Sequence, residues 1–285
     1  MGRNLLMTEC RVKALGQAVQ GRGHALKNIP CQDMVFFKKF TKTEGFTALA
    51  DGAGSCSFSE AGAEVCTKSL GEIIRGKFFR YYRNKSLLRA EILAELLKRL
   101  RKKAEALNAD IKELSSTLLF VYWKAVNGKV YYISGHIGDG LIIKSTKKGV
   151  EIISYPENGK YLNTTYFITS SSAFDHLRIY TDCILGDVGF LLMSDGTAES
   201  LYTRRTKTPA PACSIIFNWI RLYRENRLHA AINRNLENLI KQKTADDCSL
   251  TAVYIQQKKP AVSSTGSNAN KIYLFKVCKK GGICT

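Results

Sequence analysis

A chain of 285 residues, 45% hydrophobic and 24% charged, is long and apolar enough to fold around one large core without disulfides or a structural metal, and too apolar for disorder. No window approaches the roughly 20 apolar residues of a membrane span, and residues 1–10 lack the apolar run of a secretion signal, so a cytoplasmic protein is expected. The formal charge is +19, from 43 Lys and Arg against 24 Asp and Glu. The basic residues are scattered and accompany no zinc-finger spacing or RNA-type aromatic motif, so nucleic acid is not expected as the primary partner.

In chain order, residues 11–19 alternate as a strand and run into a Gly21-Arg22-Gly23 loop. Residues 34–40 and 45–50 form apolar runs around a polar turn, the pattern of a hairpin. Helical spacing then takes over, first in Ala63, Cys66, Leu70 and Ile74, then in Leu88, Ile92, Leu96, Leu100 and Ala104. Strands are predicted at 118–126, 130–134, 141–144, 150–154, 166–169, 177–180 and 189–193. Helices follow at 212–223 and 225–241, and a last strand at 249–255. Runs of strands separated by helix pairs define an α+β protein with antiparallel sheets. Residues 1–257 read as the folded domain. Residues 258–285 read as a basic appendage, a linker-like stretch with one short strand near 272–277. The nine cysteines carry no CxxC spacing and read as reduced core thiols; only Cys278 and Cys284 stand near enough to look like a pair.

The informative feature is where the aspartates fall. Asp51 and Asp195 each follow an apolar run and precede glycine, Asp139 sits between Gly138 and Gly140 at a strand end, and Asp246-Asp247 opens the final strand. Any one Asp-Gly reads more readily as a hairpin turn. Four carboxylates, each at the end of a hydrophobic strand, read as a cluster. Gathered carboxylates repel unless a cation is present, and an all-oxygen set suits a hard ion such as Mg²⁺ or Mn²⁺.

These residues resemble, in order, the motifs of bacterial-type PP2C protein phosphatases. Gly21-Arg22-Gly23-His24 with Asn28, Pro30, Gln32 and Asp33 is similar to the first motif, and Asp51-Gly52-Ala53-Gly54 to the metal-bridging one. Ser116-Thr117, Gly138-Asp139-Gly140, Ser194-Asp195-Gly196 and Asp246-Asp247 follow over residues 10–256. The resemblance implies a four-layer αββα sandwich. It implies hydrolysis of phosphoserine and phosphothreonine in proteins by a water that two Mn²⁺ or Mg²⁺ ions activate, with room for a third, looser ion. Asp51 would bridge the two metals, with the Gly52 carbonyl as a further ligand. Asp195 and Asp246 would complete the shell, Asp33 would lie beside it, and Asp139 with Asp195 would hold the third ion. The implied partner is a phosphorylated protein, with a cognate Ser/Thr kinase upstream.

Two departures from the family pattern stand out. Many members place His after the bridging Asp-Gly, where this chain has Ala53, and many carry a phosphate-gripping Arg where this chain has Asn28. Arg22, His24 or Lys27 would then supply the charge, and His24 or His136 the acid. Their absence also leaves open a second reading, a phosphoprotein-binding regulatory domain with little turnover. No Cys-x5-Arg phosphate loop is present, so a thiol nucleophile is not expected.

Overall fold

Period-two alternation decides which way each strand faces. Phe46, Ala48, Phe120 and Tyr122 point to one side of their sheet, while Leu49, Leu119, Val121 and Trp123 point to the other. Because both faces are apolar, both need cover. In the computed structural model, which describes residues 10–159, 165–257, 276–277 and 283–284, two five-stranded antiparallel sheets lie face to face with helices outside each.

The elements run β1 (Cys10–Val19), α1 (Arg22–Leu26), β2 (Met34–Lys39), β3 (Glu44–Ala50), α2 (Ser59–Ile74), α3 (Phe78–Arg83), α4 (Lys85–Ala106), β4 (Leu118–Val126) and β5 (Lys129–Ile137). They continue with β6 (Leu141–Thr146), β7 (Gly149–Ser154), α5 (Ala173–His176), β8 (Arg178–Leu185), β9 (Val188–Met193), α6 (Asp195–Leu201) and the small hairpin β10 (Tyr202–Thr203) and β11 (Thr208–Pro209). Last come α7 (Pro211–Leu222), α8 (Glu225–Asn235), β12 (Cys248–Gln257) and the short pair β13 (Lys276–Val277) and β14 (Ile283–Cys284). One sheet has the order β1-β12-β9-β6-β7 and the other β2-β3-β4-β5-β8.

Three apolar layers hold the sandwich. Leu70, Ile74, Leu88, Ile92 and Leu96 of α2 and α4 cover Phe46, Phe120 and Tyr122. On the opposite outer face, Ile216, Phe217 and Ile220 of α7 with Leu228 and Ile232 of α8 cover Leu191 and Leu250. Between the sheets lie Leu49, Val121, Trp123, Phe190, Leu192, Val253 and Ile255. Within that layer the Thr47 and Thr251 hydroxyls meet at 2.7 Å, joining β3 to β12 across the two sheets. This is the four-layer αββα arrangement expected from the sequence.

Three local expectations are corrected. The predicted strand at 166–169 is absent. The Phe167 N–H donates to the Ser170 hydroxyl at 3.0 Å and the Ser170 N–H to the Phe167 carbonyl at 3.1 Å, so the serine-rich segment closes into a turn. The segment after Gly21 is wound into α1 rather than left as a loop. The helix expected over 225–241 stops at Asn235 and continues as a wider π turn, Leu236–Ile240, and a 3-10 turn, Lys241–Lys243. A Cys278–Cys284 pair lies outside the described side chains; the seven cysteines described are free, and burial pushes the Cys66 thiol up to about 12.

Candidate metal and phosphate site

Antiparallel pairing brings the chosen strand ends to one rim. Asp51 follows β3, Asp139 follows β5, Asp195 opens α6 directly after β9, and Asp246 lies two residues before β12. All four line one cavity of about 920 Å³. The Asp51 loop is pinned by the neighbouring strand entry: the Asp51 N–H donates to the Thr117 hydroxyl at 2.9 Å and the Thr117 N–H to the Asp51 carbonyl at 2.8 Å. Gly52 makes a bridge to Ser116, which accounts for the Ser116-Thr117 motif.

Asp246 and Asp247 divide their work. Asp246 faces the cavity, while Asp247 is 2% exposed and accepts the Gly21 and Gln32 N–H groups, both at 2.6 Å. The chain passes so close here that an added Cβ at Gly21 would lie 2.3 Å from the Asp246 carbonyl carbon, and one at Gly196 2.2 Å from the Asp247 carbonyl oxygen. Neither neighbour can yield because both are backbone, so Gly21→Ala is expected to unseat the loop carrying His24 and Asp33. Thermal denaturation of that variant would read the loss.

The carboxylates press on one another. Burial first, then the charges of Asp33, Asp195, Asp246 and Asp139, hold Asp51 well above the usual carboxylate range. Burial, followed by Asp139 and Asp246, pushes Asp195 up to about 7. Burial does the same to Asp33, also to about 7; the Ser249 hydroxyl lowers it in part, and the charges of Asp247 and Asp195 add smaller upward pushes. Both Asp33 oxygens are buried without a hydrogen-bond partner of good geometry. Among the described residues no three such groups already close into a finished ligand shell. A buried carboxylate without partners, set among other carboxylates in an all-oxygen group, fits a hard divalent cation.

These shifts have a sign. An aspartate that titrates near 7 when folded and near 3.8 when unfolded holds its proton more tightly in the folded state, so its contribution to stability is lost as pH rises from about 4 to about 7. In EDTA, Asp33→Asn is therefore expected to melt near wild type at pH 4.5 and above it at pH 7.5. A constant difference between the two proteins across that range would contradict the shift.

The structure brings most of the expected site residues together and turns two away. His24 and Lys27 line the cavity with Asp51, Gly52, Asp139, Asp195 and Asp246, and Asp33 lies behind Asp51. Arg22, expected at the phosphate, is not among the cavity-lining residues; its Nε donates to the Thr244 carbonyl at 3.1 Å. His136, the other imidazole considered as an acid, is fully buried in β5, with Nδ1 2.8 Å from the Ser154 hydroxyl and 3.1 Å from Arg178 Nη2. Burial and the Arg178 charge hold it neutral, well below the usual imidazole range.

Sequence reasoning missed the far wall. Asn158, Thr165 and Phe167 line the cavity from a loop that Glu157 anchors beside Asp139: its N–H donates to the Gly138 carbonyl at 3.0 Å, and its carboxylate pairs with His176 at 2.9 Å and Arg178 at 3.1 Å. Arg204, in the β10–β11 turn, adds a cation to the mouth. No local pattern marks either feature.

The fold and site together place the molecule among two-sheet phosphatase sandwiches. The structure aligns with PppA, described as a key regulatory component of T6SS in Pseudomonas aeruginosa, at a TM-score of 0.57 and 17% identity, covering 88% of this chain and 100% of that one. It aligns with the Mycobacterium tuberculosis serine/threonine phosphatase PstP/Ppp at a TM-score of 0.53 and 13% identity, covering 87% and 99%. At such identities the likeness is one of fold. In sequence, the chain is 25% identical over 169 residues to serine/threonine-protein phosphatase 3 of Escherichia coli (strain K12), a match that takes in 56% of this chain and 64% of that protein, less than two thirds of the relative's length. Residues 20–237 match the Protein phosphatase 2C family, and the chain belongs to it.

Proposed function

We propose that this chain hydrolyses phosphoserine and phosphothreonine esters in proteins with the help of two Mn²⁺ or Mg²⁺ ions. The observation that carries the reading is the convergence of strand-end carboxylates from both sheets on one cavity, with their charges left uncompensated. Asp51, the Gly52 carbonyl, Asp195 and Asp246 would hold the two ions, Asp33 would support them from behind, and Asp139 with Asp195 would take a third. Divalent cations bound there supply a water activated near neutral pH and charge that offsets the phosphoryl oxygens.

The chain's own groups do the rest. Lys27 and Arg204 attract the phosphoryl dianion to an otherwise acidic cavity and orient it, in place of Arg22. Phe167 gives one wall an apolar surface for the residue that carries the phosphate. The natural substrate on this reading is a phosphorylated protein with a cognate Ser/Thr kinase, in the cytoplasm; among the described residues no helix is long and apolar enough to cross a membrane.

Ala53, which brings no proton donor next to Asp51, favours the second reading of a regulatory phosphoprotein binder. Phosphate release from a phosphothreonine peptide in Mn²⁺, Mg²⁺ or EDTA separates the two. Release with either metal and none in EDTA is expected. A folded, Mn²⁺-binding protein that retains the peptide without releasing phosphate would support the binder instead.

A further inference from the structure

We propose that His24 protonates the leaving oxygen and that Asp247 aims its ring, so that the acid missing after Asp51-Gly52 is supplied from α1 instead. The inference rests on the phosphatase reading above.

Four observations meet here. Ala53 has no proton to give, and His136 is buried away from the cavity. His24 lines the cavity, with its side chain 14% exposed. Its Nδ1 lies 2.9 Å from Asp247 Oδ2, close in distance though not aligned as a linear hydrogen bond. Asp247 cannot swing, because the Gly21 and Gln32 N–H groups hold its two oxygens. With Nδ1 turned to a fixed carboxylate, Nε2 is the nitrogen left for chemistry, the arrangement in which a carboxylate sets the orientation and tautomer of an imidazole. Nε2 lies beside Gly54: a Cβ built there would sit 3.7 Å from it, an ordinary contact distance. The imidazole edge thus stands beside Gly54, the residue next to the Ala53 that bears no acid.

The step balances without a further reactant. As the ester P–O bond breaks, its electron pair stays on the seryl or threonyl oxygen, which takes the proton from His24 Nε2. The imidazole, left neutral, regains from solvent the equivalent of the proton that water gives up in forming the new P–O bond. The products are the alcohol and inorganic phosphate.

The test uses two leaving groups. An alkoxide leaving a phosphoserine peptide needs a proton, whereas the phenolate of p-nitrophenyl phosphate leaves readily without one. His24→Ala and His24→Asn are expected to lose about 10²-fold or more in kcat on the peptide, the usual range for a positioned acid, but less than about threefold on the aryl ester. Added imidazole is expected to restore part of the peptide activity of His24→Ala. Thermal melts matching wild type would confirm that both variants fold. Equal losses on both substrates without rescue by imidazole, or no loss on the peptide, would overturn the role of His24 while leaving the phosphatase reading intact. A wild-type protein that releases phosphate from neither substrate would overturn the phosphatase reading itself, and this assignment with it.

Discussion

Asp51→Asn is expected to lower metal-dependent phosphate release by on the order of 10²–10³-fold, the cost of removing one preorganised charged group from an active centre. The same substitution is expected to make the metal-free protein more heat-stable at pH 7.5. Asp51 is the carboxylate on which the charges of Asp33, Asp195, Asp246 and Asp139 all bear, so converting it to a neutral amide of the same shape relieves four repulsions at once. Phosphate release with saturating Mn²⁺, paired with thermal melts in EDTA, would read both effects. Loss of activity with an unchanged or lower melting temperature would mean that the cluster does not store the repulsion assigned to it.

Asp247→Ala is expected to do the reverse to stability. This carboxylate accepts the Gly21 and Gln32 N–H groups in the interior, and its removal leaves both donors without a partner. At about 1–3 kcal/mol for each unsatisfied buried group, the expected loss is about 2–6 kcal/mol. In a chain of this size that corresponds to a fall in Tm of roughly 10 °C. Activity should fall as well, because His24 loses its support and the Gly21 loop its anchor beside Asp246. Two aspartates at the same rim would thus answer loss of their charge with opposite signs. Chemical denaturation of both variants in EDTA would measure the contrast, and a neutral Asp247→Ala would contradict the anchoring role.

The adjacency of Asp246 and Asp247 also marks where the sequence stops being legible. The strand-end positions of Asp51, Asp139, Asp195 and Asp246 could be read because apolar runs end visibly and glycine follows three of them. Which member of the final pair faces the cavity depends on Gly21 and Gln32, more than two hundred residues earlier, and no local pattern encodes that. As a loop, the segment leaves Arg22 and His24 equally placed to reach a phosphate. Once it winds into α1, residues two apart project about 200° apart around the helix axis, and His24 faces the cavity while Arg22 goes to Thr244. The strand expected at 166–169 failed for another reason: β-favouring Tyr166 and Ile168 lost to a side-chain hydroxyl that satisfies the backbone locally. Arg204 comes from a segment whose composition signals only surface, so its place at the mouth emerges from tertiary packing alone.

The carboxylates are shared between the two halves of the sandwich. Asp51 and Asp139 leave strands of one sheet, while Asp195 and Asp246 flank strands of the other, and Thr47 and Thr251 clasp the sheets between them. On the proposed ligand set, neither half would grip an ion by itself. A cation held at the site proposed above would button the two halves together, and prying them apart would unload it. A molecule with one half melted would then retain none of the proposed chemistry, so dephosphorylation by this chain would report on its own structural integrity.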